Sequence, residues 1–215
     1  MDAMDADTIK SVYLGAAAAF LELVRQVPGP AWSQPALGEW DVRGLAGHAS
    51  RALTTVENYL DAPATETAAA LAGGKRLDGP VAYYLAVRDS MRPDEVAQRG
   101  RETGDALGKN PAEAVGDLVQ RISILVRHTP GEALVATPAG TMTLIDYLPT
   151  RTFELAVHGL DLARALAVAP PASLTPAIAA SLELAGAIGA RLPSAPELLL
   201  LLTGRAGLPE GLSVV

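Results

Sequence analysis

The stretch RTFELAVHGLDLARAL, residues 151–166, carries three side chains that could bind a metal ion. Glu154 lies four residues before His158, and Asp161 lies three residues after it. Residues three or four apart lie on one face of an α-helix, and a helix can offer two such side chains to one metal ion. The same spacing also occurs in surface Glu–His pairs and around hydrogen-bonded core histidines. The pair alone therefore leaves a metal site and a structural role as alternatives.

The polar residues of this stretch form one narrow stripe. At about 100° per residue, Arg151, Glu154, His158 and Asp161 fall within an arc of about 80°. Much of the remaining circumference is apolar: Phe153, Leu155, Val157, Leu160 and Leu162. A helix that is apolar on most sides is normally buried, so we expect the stripe to face an internal cavity. A buried carboxylate needs a partner, and a divalent cation would be one.

His48 could supply a third ligand. It lies in the middle of a predicted helix, VRGLAGHASRAL, between Gly47 and Ala49. Small neighbours allow the backbone of another helix to approach closely. If this helix packs against the helix of Glu154 and His158, the three side chains form a His–Glu–His set. The remaining histidine, His128, ends its helix, where an imidazolium suits the helix dipole, and we expect it to be structural or on the surface.

The composition restricts the class of protein. The 215 residues are 49% hydrophobic and 19% charged, and the few aromatic residues (4%) and the abundant alanine favour packed helices. A net charge of −7 without a basic stripe argues against nucleic-acid binding. The chain contains no cysteine, which excludes thiolate zinc sites and cysteine nucleophiles. Any thiol chemistry would need a thiol from outside.

Apolar periodicity predicts a mainly α fold. The first predicted helix covers residues 7–26, and a second, long helix begins after Asp41 as its N-cap. A third begins at Val81 and restarts after Pro93, and a fourth begins at Pro111. The last two run from Thr143 to about Ala167 and over residues 175–191. Pro149 either kinks its helix or marks its true start. Between these helices we expect a loop with both tryptophans, a connector with one short helix before Val81, and a hairpin around PAG (138–140). A short helix and a terminal strand are predicted for the tail.

Two segments carry a family resemblance. LGEWDVRGLAGHASRAL and RTFELAVHGLDLARAL resemble the signature segments of the mycothiol-dependent maleylpyruvate isomerase family, within the DinB-like metalloenzyme superfamily. The residues that match its pattern are Trp40, His48, Arg151, Glu154, His158 and Asp161. The resemblance implies a DinB-like four-helix bundle over residues 1–170. Residues 171–215 would then form a short α/β extension.

The resemblance also implies a chemistry. It assigns His48, Glu154 and His158 to a divalent metal, usually zinc, and makes mycothiol, a small thiol of actinobacteria, the co-substrate. Three protein ligands leave a coordination position open, as in catalytic zinc sites. The function implied is that of an isomerase or thiol transferase acting on a small electrophile. Two alternatives stay open: a hydrolase that uses metal-bound water, and a non-catalytic bundle that binds a ligand or partner.

Arg151 and Asp161 are the candidate catalytic residues beside the metal ligands. Arg151 either binds an anionic group of the thiol or substrate, or pairs with Glu154. Asp161 either supports His158 or orients a substrate group, or forms a salt bridge with Arg164 or with a neighbouring helix. The arginines that could bind a dicarboxylate substrate are Arg43, Arg51, Arg88 and Arg151.

The sequence also leads to expectations about the location and assembly of the protein. The longest apolar runs fall short of the ~20 residues that span a membrane. The acidic start MDAMDADTIK does not match the basic start of a secretory signal. We therefore expect a cytoplasmic protein without a membrane partner, either a monomer or a homodimer.

Overall fold

A computed structural model of the chain describes residues 4–62, 74–88, 92–207 and 212–215. In these residues the fold is mainly α, as predicted. The helices are α1 (Ala6–Arg25), α2 (Val42–Leu60), α3 (Gly79–Val87), α4 (Pro93–Ala106), α5 (Pro111–His128), α6 (Leu144–Ala165), α7 (Thr175–Gly189) and α8 (Ala195–Leu202). Strands β1 (Pro35–Leu37) and β2 (Trp40–Asp41) form one antiparallel pair, and β3 (Leu134–Thr137) and β4 (Gly140–Thr143) form another. Short 3-10 helices cover Gly29–Ser33 and Ala172–Leu174.

Two helices that matter for function begin where the sequence predicts. The side chain of Asp41 accepts a hydrogen bond from the backbone N–H of Gly44 at 2.7 Å and caps α2. The hydroxyl of Thr143 accepts one from the N–H of Asp146 at 3.2 Å and caps α6. Each cap satisfies a donor that the first helical turn would leave without a partner. Pro149 lies inside α6, so it does not mark the start of that helix.

Four long helices form the bundle. Helices α1 and α2 each pack against both α5 and α6. Their shared core is built from large side chains that are almost wholly buried: Tyr13, Phe20, Leu23, Leu45, Leu53, Ile122, Leu148, Leu155 and Leu162. Helix α6 also packs against α3 and α7, which leaves most of its circumference covered. Val157 and Leu160 are exceptions to the predicted burial, since they are 36% and 39% exposed.

Helix α4 lies directly against α2. A Cβ atom on Gly47 would lie 2.1 Å from the backbone nitrogen of Gly104, so only glycine fits between the two backbones. The small residue beside His48 does admit another helix, as the sequence suggests, but that helix is α4 rather than α6. On the same face of α4, a Cβ on Gly100 would lie 2.4 Å from the Nε1 atom of Trp40. The α4 backbone therefore fixes both α2 and Trp40.

The predicted hairpin is present, and it anchors the start of α3. The backbone N–H of Leu77 donates to the carbonyl of Thr141 at 2.9 Å, and the N–H of Thr141 donates to the carbonyl of Lys75 at 2.9 Å. Residues 75–77 therefore add to the β3–β4 hairpin, which directly precedes α6. This contact brings α3 against α6 close to the predicted site.

The tail differs in part from the expectation. Helix α8 is the short helix predicted there, but the described residues 203–207 and 212–215 contain no strand. Most of the connector before α3, residues 63–73, lies outside the described residues, so its predicted short helix is not tested. The division into residues 1–170 and 171–215 stays a prediction, and α7 packs against α1 and α6 of the bundle.

One described stretch, Ala172–Gly189, is long and apolar enough to cross a membrane by length and composition, with a mean hydropathy of 1.3. The core helix of a soluble protein passes the same test. This stretch carries Glu183 and contacts α1 and α6, so its apolar character is partly used in packing.

Candidate metal centre

The three side chains predicted to bind metal lie together between α2 and α6. Potential ligand atoms of His48, Glu154 and His158 all lie within 4.8 Å of one another. The ring centroids of His48 and His158 are 4.8 Å apart, at nearly right angles. The arrangement arises because α2 and α6 pack along their length, while the spacing of four residues stacks Glu154 over His158.

The geometry fits a divalent cation. His158 Nε2 lies 3.4 Å from Glu154 Oε2. Bonds of about 2.0–2.1 Å in a tetrahedral zinc site place neighbouring ligand atoms roughly 3.4 Å apart. The ligands on α6 are therefore already at a suitable separation, and His48 needs only a small approach. The buried Nδ1 atom of His48 has no hydrogen-bond partner among the described residues, and a metal ion is one partner that an imidazole nitrogen accepts.

Asp161 supports the second histidine. His158 Nδ1 lies 3.2 Å from Asp161 Oδ2, within hydrogen-bonding distance. When Nδ1 carries the proton and donates it to the carboxylate, Nε2 stays free to bind metal and the ring orientation is fixed. Of the roles considered for Asp161, the geometry matches support of His158, since no described ion pair joins Asp161 to Arg164.

The three predicted ligands differ in their pKa values. Burial and the nearby charge of His158 lower the pKa of His48 to about 4. Burial alone would raise the pKa of Glu154, but the hydrogen bond to His158 and the charge of Arg151 outweigh it and lower the value to about 2. Burial alone would lower the pKa of His158, but its hydrogen bonds to Asp161 and Glu154 raise it to about 9. At neutral pH His158 therefore carries a proton, and a metal ion that binds this side chain would replace that proton.

Trp40 forms one wall of the site. Its ring stacks on His48 with centroids 4.4 Å apart and an interplanar angle of 28°, and it meets His158 edge-on at 6.4 Å. Its Nε1–H donates to the carbonyl of Ala97 on α4 at 2.8 Å. The family pattern includes this tryptophan, but no role for it could be predicted from the sequence. The structure shows that it limits the rotation of the His48 ring.

The ligands open into a cavity of about 540 Å³. Four tyrosines line it: Tyr59, Tyr83, Tyr84 and Tyr147. Of the four arginines considered for substrate binding, Arg51 and Arg151 line this cavity. Arg43 instead donates to the carbonyls of Gly104 and Gly108, and Arg88 is an exposed residue at the end of α3.

Arg151 is a buried cation without a carboxylate partner. It is 8% exposed, and no described carboxylate lies within 4.0 Å of its guanidinium. Its Nε donates to the hydroxyl of Thr150 at 2.9 Å, and its Nη2 donates to the Tyr83 hydroxyl at 3.4 Å. The guanidinium carbon lies 5.0 Å and 5.5 Å from the ring centroids of Tyr147 and Tyr83. The direct pair with Glu154 that the sequence left open is absent, and the cation faces the cavity.

Tyr84 is a residue that the sequence analysis did not select. Its hydroxyl lies 2.9 Å from Glu154 Oε1 and 3.1 Å from the carbonyl oxygen of Thr150. Burial and the negative charge of Glu154 raise the pKa of this phenol well above its usual value, so it acts as a neutral donor. A pair of tyrosines in an apolar helix was the only signal in the sequence.

His128 lies away from the cluster. It occupies the last turn of α5, is exposed, and its Nδ1 lies 2.7 Å from the carbonyl oxygen of Ile124. This placement matches the surface role expected for it.

We predict one divalent metal ion per chain. His48→Ala and His158→Ala should each remove most of the bound metal after dialysis, because two remaining ligands chelate weakly. His128→Ala is the matched control and should leave the metal content unchanged. Elemental analysis of the purified variants measures this, and full occupancy in both site variants would show that the ligand set is wrong.

We also predict that metal binding releases close to one proton at pH 7.5. Below its pKa of about 9 the metal-free His158 is protonated, and it must lose that proton to bind, whereas His48 is already neutral. The affinity should therefore fall roughly tenfold for each pH unit below 9. Calorimetric titration with zinc in buffers of different ionisation enthalpy counts the protons, and a count near zero would contradict this description of the site.

Comparison with known proteins identifies the family. The model of the family described as the mycothiol maleylpyruvate isomerase N-terminal domain matches residues 13–163, a span that includes every residue of the site. No curated protein and no solved structure matches the chain. The matched span covers well over half of the chain, and it runs from within α1 to the last turn of α6. The chain belongs to the mycothiol maleylpyruvate isomerase N-terminal domain family.

Proposed function

We propose that the protein is a metal-dependent enzyme that uses mycothiol to attack a small electrophile, as a thiol transferase or isomerase. The observation that carries this proposal is the His48, Glu154 and His158 cluster at a cavity of about 540 Å³. Membership of a family named for mycothiol supports the choice of thiol. A cavity of this size has room for more than a metal ion and its ligands.

The residues present suit a catalytic rather than a structural metal. Three ligands from the protein leave one position for an exogenous group, whereas structural zinc sites have four protein ligands. A bound zinc ion would hold an external thiol in its reactive, deprotonated form. Because the chain has no cysteine, that sulfur must come from solution.

The protein's own residues would orient both the metal ligands and the substrate. Asp161 holds the Nδ1–H of His158, so that Nε2 points towards Glu154 and the ligand cluster. Trp40 and the cavity tyrosines line the cavity beside the predicted ligands and offer apolar surface to the substrate. An apolar lining strengthens the electrostatic interactions beside it.

We assign Arg151 to an anionic group of the electrophile. Its charge is buried and interacts with that of Glu154, but no described carboxylate lies within 4.0 Å of the guanidinium. An anionic group in the cavity would supply the direct ion pair. Arg51 adds a second positive charge to the same cavity. Both arginines line the same cavity as His48, Glu154 and His158, so an anionic substrate bound by them would share that cavity with the metal ion.

The proposal predicts that mycothiol binds the metal centre in the absence of substrate. In cobalt-substituted protein, a mycothiol titration near neutral pH should produce an intense near-ultraviolet charge-transfer band, because thiolate sulfur is a soft donor. The analogue in which the cysteine sulfur is replaced by oxygen is the control and should give no such band. A cobalt spectrum that does not respond to mycothiol, together with ester or amide hydrolysis, would favour the hydrolase instead.

The role of Arg151 predicts a separate effect on small anions. Arg151→Met should weaken the binding of small carboxylates to the metal-loaded protein about 10- to 100-fold, since a hydrogen-bonded charge pair contributes roughly 1.5–3 kcal/mol. Arg164→Met, which removes an exposed arginine from the same helix, should have no effect. Competition with a fluorescent anion measures the affinities, and thermal unfolding confirms that both variants fold. Equal affinities in the two variants would contradict the assignment.

A further inference from the structure

The two carboxylate oxygens of Glu154 have different partners. Oε1 accepts a hydrogen bond from the Tyr84 hydroxyl at 2.9 Å, on the side of α3. Oε2 lies 3.4 Å from His158 Nε2, on the side of the ligand cluster. The hydrogen bond from Tyr84 therefore engages the oxygen that does not face His158.

The position of Tyr84 is fixed independently of the metal site. The side chain is 3% exposed and forms a small core with Phe153, Leu184 and Ile188. Its ring centroid lies 5.3 Å from that of Phe153. The same hydroxyl also reaches the carbonyl oxygen of Thr150 at 3.1 Å, so the phenol lies against one turn of α6. The donor therefore cannot follow Glu154 if the carboxylate rotates.

We infer that Tyr84 is a positioning residue that restricts Glu154 to binding metal through one oxygen, Oε2, and so keeps a coordination position open for the thiol. The inference rests on the proposed metal centre. A carboxylate can bind a metal ion through one oxygen or two, and a hydrogen bond to the outer oxygen favours the first mode. Without that hydrogen bond, Oε1 can turn towards the metal and occupy the position that an external ligand needs.

The test is Tyr84→Phe, which removes the hydroxyl and keeps the ring packed against Phe153. In cobalt-loaded protein without thiol, the visible d–d bands should weaken, because cobalt gains a ligand oxygen and higher-coordinate cobalt absorbs less strongly. Competition with a chelator should show metal affinity changed by about 10-fold or more. The mycothiol concentration at half-saturation of the charge-transfer band should rise by a similar factor.

A matched variant separates the positioning role of Tyr84 from the general loss of a buried hydroxyl. Tyr13→Phe removes a hydroxyl that donates to the carbonyl of Ala52 at 3.0 Å within the bundle core, away from the site cavity. It should lower the thermal stability of the protein, as Tyr84→Phe does, but it should keep the wild-type cobalt spectrum.

A double variant tests whether Tyr84 acts through Glu154. In Glu154→Gln protein, the further change Tyr84→Phe should have little additional effect on metal affinity, so the two changes should not be additive. Wild-type visible bands in Tyr84→Phe would overturn the inference, whatever happens to the affinity. If the wild-type protein itself bound no cobalt, the proposed metal centre would fail as well, and that result is read from the wild type alone.

Discussion

The burial of a carboxylate and an imidazole on one turn of α6 is the constraint on which the site depends. Glu154 and His158 are only partly accessible and lie on the helix that contacts α1, α2, α3 and α7. Charged groups in such a place are costly unless each has a partner. The partner of His158 is Asp161 on the same helix, and the partners of Glu154 are His158 and, from α3, Tyr84. Arg151 continues the stripe, and its guanidinium lines the cavity without a direct ion pair among the described residues.

The neighbouring elements are arranged around this stripe. Helix α2 contributes His48, and the glycine contact between Gly47 and Gly104 holds α4 close enough for its backbone to bind Trp40. The β3–β4 hairpin holds the residues before α3, which places Tyr84 over Glu154. The site is thus enclosed by contacts from several elements, although its ligands come from two helices. Its precision rests on backbone packing rather than on long flexible side chains.

The sequence predicted the parts of this arrangement that depend on local order. Helical periodicity predicted the long helices, and Asp41 and Thr143 predicted where two of them begin. The spacing of Glu154 and His158 predicted the part of the ligand cluster that lies on α6. His48 was selected by its small neighbours and by family resemblance. Residues that act only through tertiary packing were missed, because no spacing marks them. Tyr84 is of this kind. At Gly47 the sequence predicted a close helix contact but not that the partner is α4, and the absence of a direct Arg151–Glu154 pair was not decided by sequence either.

The proposed function requires that His48, Glu154 and His158 hold a metal ion whose remaining position accepts an external thiolate. X-ray absorption at the zinc edge of the loaded protein, with and without saturating mycothiol, measures this coordination. We expect only nitrogen and oxygen neighbours at about 2.0–2.2 Å without thiol, and one sulfur neighbour at about 2.3 Å when mycothiol is added. A zinc environment that stays free of sulfur under saturating mycothiol would contradict the proposed function.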